Sequence, residues 1–453
     1  MKNDSSTLSD NDRLHAIQAA RARRNRDTSE RALGNITRSP SFESLKGFRE
    51  RQMVAKLATL PDLQNPFFRQ HQQRSGATCV IDGREVLNFG SYDYLGLNSD
   101  PRPAAAAKAA IDQYGVSASA ARLVSGERPV HRRLEQALAK HYEVEDALCF
   151  VSGHATNVST IATLVGKGDL VIHDALVHNS AHVGTALSMA SRRSFPHNDF
   201  DALEQLLIDT AGNYRASLVI VEGHYSMDGD IPDLARLVDL KRKYGFWLMV
   251  DEAHGLGCIG ATGKGVREVY GIAGTEVDIW MGTLSKTLAS TGGYIAGSAA
   301  LIDILKYEAP GSVYSVALAP ALAAAAETSL GLLEAEPERV ARLQSRGSFF
   351  LEQARAHGLD VGSSVGSSII PVMVGSSPLA IAASNRLLAL GVNVLPIVFP
   401  AVPMNQARLR FFLSSQHEEE HLRHAISCTA RVLEELKASG TEDLLQTLAD
   451  QLS

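Results

Sequence analysis

The chain has 453 residues, 45% of them hydrophobic and 21% charged, with a formal net charge of -6. That length and apolar content support a sizeable core, divided between one large domain and a smaller one. The mild acidity gives no electrostatic reason to expect nucleic acid or an anionic membrane surface. Cys79, Cys149, Cys258 and Cys428 lie far apart without CxxC spacing, which excludes a disulfide scaffold and points to a reducing cytoplasm.

Residues 1–55 read as a polar, Arg-rich extension. The opening MKNDSSTLSDNDR lacks the apolar core of a signal peptide. The stretch from Leu14 to Arg24 has helix-forming composition, but Asp4, Asp10 and Asp12 argue against an organelle presequence. Residues 56–100 carry a predicted hairpin: Thr78-Cys-Val-Ile, an Asp82-Gly83 turn, then Glu85-Val-Leu-Asn-Phe. From 101 to 310, helical patterns alternate with short apolar runs. Val130, Leu134, Leu138 and Tyr142 mark one helix face, and Leu234, Leu237 and Val238 another.

The apolar runs Ala147–Val151, Leu170–Ile172, Leu218–Val221, Trp247–Val250 and Asp278–Met281 read as strands buried on both faces. Their alternation with helices predicts an α/β fold with a mostly parallel sheet. Residues 311–453 read as a smaller C-terminal α+β domain. An Ala-rich helix leads into it, Ile369–Val374 and Arg408–Leu413 are its strands, and Ser415 with Glu418 suggests a capping box opening the last helix. The longest apolar stretch, Val313–Leu333, contains Pro320 and Glu327, so a core helix fits it better than a membrane span.

Chemistry in such sheets gathers at the carboxyl ends of strands. Three predicted strands end in polar residues: Glu222 to Asp230, Asp251-Glu-Ala-His254, and Gly282-Thr283-Leu-Ser285-Lys286. A lone loop lysine is ordinarily a solvated charge, and a lone carboxylate at a strand end is often a helix cap. Together, a carboxylate 35 positions before a lysine, each at its own strand end, suits pyridoxal 5'-phosphate. The aldehyde takes an amine, here Lys286 as a Schiff base. The ring nitrogen takes an anion, here Asp251, that keeps it protonated as an electron sink. Thr283, Ser285 and the Ser152-Gly153-His154 junction offer an anion cradle for the phosphate, and His178 could stack on the ring.

Two rival motifs fail. Asp251-Glu-Ala-His254 spells the DEAH box of helicases, but no GxxxxGK[ST] loop precedes it. His173, His178 and His182 lack HExxH order and a cysteine pair, so no metal is expected.

Six segments in order, Asn88–Leu97, Arg122–Gly126, Val221–Asp230, Val250–Gly255, Gly282–Lys286 and Ala407–Arg410, resemble the α-oxoamine synthases among the fold-type I pyridoxal phosphate enzymes. The family includes 8-amino-7-oxononanoate synthase, 2-amino-3-ketobutyrate ligase and serine palmitoyltransferase. The resemblance implies a decarboxylative condensation of glycine, alanine or serine with an acyl thioester, giving an α-aminoketone. Lys286 is similar to the family's cofactor lysine and base, Asp251 to its ring-nitrogen partner and His178 to its stacking residue. His254 and Ser226 resemble the contacts of the cofactor's 3'-oxygen, and Gly153, His154 and Thr283 those of the phosphate. Ser315 resembles a phosphate contact from a second subunit, implying a homodimer with its active site at the interface. Arg410 resembles the clamp on the amino-acid carboxylate. Tyr92 stands near the substrate where several members have Asn, and Val398-Phe399 lacks the extra arginine of bacterial palmitoyltransferases. The extension and Asn65-Pro-Phe-Phe-Arg69 resemble members that take their acyl group from a carrier protein rather than coenzyme A. An aminotransferase on the same fold, or a scaffold subunit without cofactor, are the competing readings. The latter lack the lysine.

Overall fold

The computed structural model describes residues 41–57 and 62–438, together with the isolated residue 19. Most of the extension, including Leu14–Arg24, lies outside the described residues. Residues 1–60 and 61–453 are separate units. In the first, Ser41 caps a short turn, Phe42–Ser44, ahead of the helix Lys46–Leu57.

The second unit carries thirteen described strands. In chain order they are β1 (Thr78–Ile81), β2 (Arg84–Asn88), β3 (Asp146–Phe150), β4 (Leu170–Asp174), β5 (Ser191–Phe195), β6 (Ser217–Glu222) and β7 (Trp247–Asp251). There follow β8 (Ile279–Thr283), β9 (Gly293–Gly297), β10 (Ile369–Gly375), β11 (Val392–Asn393), β12 (Leu395–Ile397) and β13 (Ala407–Phe412). Seven of them form the central sheet, in the order β3-β9-β8-β7-β6-β4-β5. All its pairings are parallel except those of β9, which runs antiparallel to β3 and β8.

Leu148, Val171, Leu218, Ile220, Met249, Ile279 and Ile295 share one core cluster, packed between sheet and helices. This is why the predicted strands read as apolar throughout. Val130, Leu134, Leu138 and Tyr142 are fully buried along the helix Pro129–Tyr142, as their four-residue spacing predicts. The hairpin forms as expected. Asp82 and Gly83 take φ of 50° and 73°, the left-handed pair that a two-residue turn needs.

Three features differ from the sequence reading. β5 is Ser-Arg-Arg-Ser-Phe, too polar to register as a buried strand. It is an edge strand, and charge is what an edge tolerates. β8 extends through Gly282 and Thr283, so Thr283 ends a strand rather than standing in a loop. The last helix begins at Glu419. Ser415 is not its cap: the Ser415 N–H donates to the Tyr94 carbonyl at 2.7 Å. The box is instead closed by His421, whose Nδ1 accepts from the Glu418 N–H at 3.2 Å.

Two smaller sheets, β1-β2-β11 and β10-β13-β12, complete the unit. The Asn65–Arg69 segment is tied to this region: Arg69 donates to Asn393 Oδ1 at 3.0 Å and to Asn385 Oδ1 at 2.9 Å. No helix among the described residues is long and apolar enough to cross a membrane.

Candidate active site

The carboxyl ends of β6, β7 and β8 converge on a cavity of about 210 Å³ lined by Lys286, Asp251, His178, His254, Thr283 and Gly153. His154, Ser226 and Ser285 line it too. A second cavity, about 370 Å³, shares Lys286 and Ser285 and is walled by Tyr92, Ser91 and His71. Lys286 therefore stands between an inner chamber and an outer one. A larger cavity, about 640 Å³, lies at the amino ends of β7 and β8 near Trp247 and Asp278, away from this chemistry.

Burial pulls the Lys286 amine down to about 8, against the opposing pull of Asp251 and Glu222. Roughly a tenth of that amine is thus unprotonated at pH 7, far more than for an ordinary lysine, which suits a nucleophile or base. Its Nζ sits 5.6 Å above the centre of the Tyr92 ring.

Asp251 is the last residue of β7 and faces the cavity. Glu222, the last of β6, pairs with it across the ladder. Asp251 accepts from Asn157 Nδ2 at 2.9 Å through one oxygen and from the Ala253 N–H at 2.9 Å through the other. Both interactions fix the orientation of the carboxylate. Burial, with Asp251 beside it, pushes Glu222 up to about 8, so Glu222 is mostly protonated near neutral pH. Glu252 points to the other face of the strand, where its Oε1 accepts from the Val266 N–H at 2.7 Å.

Asn157 also donates to Ser180 Oγ at 2.9 Å, and Ser180 Oγ lies 2.7 Å from His178 Nδ1. The Ser180 N–H donates to the same Nδ1 at 3.3 Å. Nδ1 is therefore an acceptor and the neutral ring carries its proton on Nε2. Burial lowers the pKa of His178, which favours that neutral form. The ring is exposed where it lines the cavity, so a planar ligand can lie against it.

His254 is buried, and burial together with the Lys286 and Arg410 charges holds it well below the ordinary histidine range. Tyr94 Oη is 2.7 Å from its Nδ1, and burial keeps that phenol protonated. With the phenol as donor, Nε2–H remains free to donate into the cavity.

The helix Gly153–Leu164 opens on the cavity with Ser152 as its cap, donating its early N–H groups toward an anion. A Cβ on Gly153 would come within 3.1 Å of Thr283 Oγ1, so glycine keeps this cradle open. An amine, a fixed carboxylate and an anion cradle are what pyridoxal phosphate requires, and the donor set fits it.

Arg410, on β13, is half-buried. It donates to the Ser226 carbonyl at 3.0 Å and stacks its guanidinium 4.5 Å over Phe412. Its Nε has no partner, and no carboxylate lies within ion-pair distance among the described residues. Arg408, two positions earlier on the same strand, pairs with Asp228 at 2.6 Å. A half-buried guanidinium lacking a counter-ion is built to receive a carboxylate. Ser315 is not among the residues lining the cavity of its own chain. Sequence reasoning had assigned no role to Asn157, Ser180, Tyr94, Glu222 or Phe412. Asn157, one helical turn after Gly153, carried a weak spacing signal. The others required the fold.

Residues 84–428 match the family Aminotransferase class I and II. The chain is 39% identical over 394 residues to an 8-amino-7-oxononanoate synthase of Symbiobacterium thermophilum, covering 87% of this chain and 97% of the relative. A synthase of the same name from Geobacter sulfurreducens is also 39% identical, over 88% of this chain and 99% of its own length.

The chain belongs to the α-oxoamine synthases.

Among solved structures, serine palmitoyltransferase of Sphingomonas wittichii superposes with a TM-score of 0.81 at 30% identity, over 89% of this chain and all of that one. An 8-amino-7-oxononanoate synthase from Francisella tularensis gives 0.68 at 26% identity, over 77% and 98%. As a member of this family the chain is a pyridoxal-phosphate-dependent acyltransferase of fold type I. Its reaction is the decarboxylative condensation of an amino acid with an acyl thioester.

Proposed function

We propose that this α-oxoamine synthase condenses a small amino acid, alanine first among glycine, alanine and serine, with an acyl thioester at the cavity between Lys286 and Asp251. The observation that carries this reading is the Lys286 amine, lowered to about 8, standing between the inner chamber that faces Asp251 and the outer one beside Tyr92. Alanine is favoured because the relatives at 39% identity are 8-amino-7-oxononanoate synthases. Their product has a methyl group beside the amine-bearing carbon. Serine is the second reading, supported by the fit to serine palmitoyltransferase.

When bound, pyridoxal phosphate supplies an aldehyde that condenses with amines and a protonated ring that delocalises negative charge from the substrate Cα. Around it, Lys286 Nζ would anchor the group, and its lowered amine would be the base that takes the substrate Cα proton. Asp251, held by Asn157, would be the partner of the ring nitrogen. His178 would stack against the ring. His254 Nε2 and Ser226 address the 3'-oxygen. Gly153, His154 and Thr283 hold the phosphate. Arg410 clamps the substrate carboxylate, and Tyr92 borders the outer chamber through which the acyl group arrives.

Four further assignments belong to this reading. The active unit is a homodimer in which Ser315 of the second copy completes the phosphate site. The thioester is carried by an acyl carrier protein. The enzyme works in the cytoplasm. Residues 101–310 form the cofactor domain and residues 311–453 a smaller one, with 56–100 as the segment bearing the hairpin and 1–55 as an extension.

The test is to supply the holoenzyme with alanine, glycine or serine, each with coenzyme A and carrier-protein thioesters, and to measure carbon dioxide and free thiol. Equimolar release with one amino acid, dependent on a thioester, is expected. Transfer of the amino group to the cofactor with amino acid alone, and no thiol released, would show an aminotransferase instead.

A further inference from the structure

His197 follows the edge strand β5 by two residues and is half-buried between two carboxylates. Its Nδ1 donates to Asp174 Oδ1 at 2.9 Å and its Nε2 to Asp230 Oδ2 at 2.8 Å. Asn198 repeats both contacts. Its N–H donates to Asp174 Oδ2 at 2.8 Å, and its side chain donates to Asp230 Oδ2 at 3.0 Å and to the Ile231 carbonyl at 3.3 Å. The edge of the Tyr225 ring meets the imidazole at a centroid distance of 4.5 Å. Asp174 ends β4, so the clasp ties the rigid sheet to the 223–231 turn.

That turn is otherwise irregular. The Tyr225 N–H closes on the Asp230 carbonyl at 2.9 Å, and the Gly229 N–H on the Tyr225 carbonyl at 2.9 Å. Gly229 has a φ of 70°, and a Cβ there would come within 2.2 Å of the Ile369 carbonyl, so the turn packs against β10 without slack. Its outer side faces β13. The Ser226 carbonyl accepts from Arg410 Nη1 at 3.0 Å, and Met227 Sδ lies 3.4 Å from the same nitrogen. The Met227 carbonyl accepts from Arg408 at 3.1 Å. Ser226 O and Met227 Sδ are thus the groups that aim Arg410, whose Nε is unpartnered. They are held from behind by His197.

We propose that His197 is a positioning residue for amino-acid binding: as a double donor between Asp174 and Asp230 it fixes the 223–231 turn, and through Ser226 O and Met227 that turn sets the direction of the Arg410 guanidinium. The inference rests on the reading of Arg410 as the carboxylate clamp. A guanidinium aimed by two fixed acceptors loses little freedom on binding a carboxylate. One released from them pays that ordering at each binding event.

The test uses holoenzyme titrated with L-alanine, glycine and L-serine, followed by the cofactor's visible absorbance, beside a titration of apoenzyme with pyridoxal phosphate and a thermal melt. His197→Ala should raise the dissociation constant of the best amino acid about tenfold while cofactor affinity stays within about twofold. In an Arg410→Lys background the same change should add less than about twofold, because the residue it acts through is already impaired. Arg215→Ala, which breaks the Arg215–Asp169 pair at 2.6 Å elsewhere in the same sheet, should lower the melting point without moving amino-acid affinity.

An unchanged amino-acid constant in folded His197→Ala overturns the proposal. So does an equal loss of cofactor and amino acid, or a tenfold effect that persists in Arg410→Lys. If His197→Ala does not fold, His197→Gln, which cannot bridge both carboxylates, must show the same selective loss, or the proposal falls. Arg410→Lys with normal amino-acid affinity would sink the clamp reading and the clasp's role with it. A defective Arg410→Lys beside a normal His197→Ala sinks the clasp alone.

Discussion

Asn157 Nδ2 donates to Asp251 Oδ2 at 2.9 Å, and the same nitrogen reaches Ser180 Oγ at 2.9 Å, which leads on to His178. One amide group, on the helix that also opens the anion cradle, therefore orients both the carboxylate and the histidine proposed to hold the cofactor ring. Residues far apart in the sequence are set by a single side chain.

Replacing that amide should loosen both partners at once. Asn157→Ala is expected to weaken pyridoxal phosphate binding about tenfold, since one charge-assisted hydrogen bond to a buried carboxylate is worth roughly 1.5–3 kcal/mol. Titration of apoenzyme by absorbance measures this. Wild-type affinity in the variant would mean that the Ala253 N–H alone suffices to orient Asp251.

Lys286→Ala should lower turnover by at least about a thousandfold, as expected when an essential nucleophile and base is removed. In the wild-type apoenzyme, cofactor capture requires the neutral amine. Its rate should therefore rise with pH and level off above about 8, where burial has placed the amine's pKa. Stopped-flow absorbance across that range reads the midpoint. A midpoint near the ordinary lysine value would contradict the buried environment.

Gly153→Ala narrows the cradle. The new Cβ would stand 3.1 Å from Thr283 Oγ1 and 3.3 Å from its Cβ, so the threonine must shift by a few tenths of an ångström toward the position proposed for the phosphate. Cofactor affinity should drop about tenfold, while the melting point of the apoenzyme moves by only a few degrees. Inorganic phosphate, which protects such a site, should compete with the cofactor less well in the variant.

His197 gives the fold an alkaline dependence. Asp174 and Asp230 raise it to about 10 although burial opposes them. A histidine whose folded value exceeds its unfolded one contributes stability that is complete below about 6.5 and disappears as pH rises through about 10. The gap in melting temperature between wild type and His197→Gln should thus be widest below about pH 6.5, shrink as pH rises, and close above about pH 10. A gap that is constant with pH would show that the clasp acts through packing alone, with Tyr225 as the main contact.

Sequence alone determined the elements whose pattern is local. Five of the six buried strands of the central sheet were legible because both faces of each are apolar; β9, Gly-Tyr-Ile-Ala-Gly, was not, because its glycines read as a break. The helix Pro129–Tyr142 was legible because its buried face recurs every four residues. The positions of Lys286 and Asp251 followed from the rule that chemistry gathers at strand carboxyl ends, and the motif order around them was specific enough to point to the family.

The tertiary structure decided what depends on neighbours distant in the chain. β5 carries charge because it is an edge strand, and its composition alone could not distinguish that from a loop. Ser415 followed by Glu418 spelled a cap, but the Ser415 N–H was already taken by Tyr94. The Asn157–Asp251 contact, the Tyr94–His254 pair and the His197 clasp join residues 23 to 160 positions apart. Only the folded packing of strands, helices and loops brings them within hydrogen-bond reach. Burial then supplies the rest: it lowers Lys286, raises Glu222 and leaves Arg410 without a counter-ion, three properties that exist only once the sheet has closed around them.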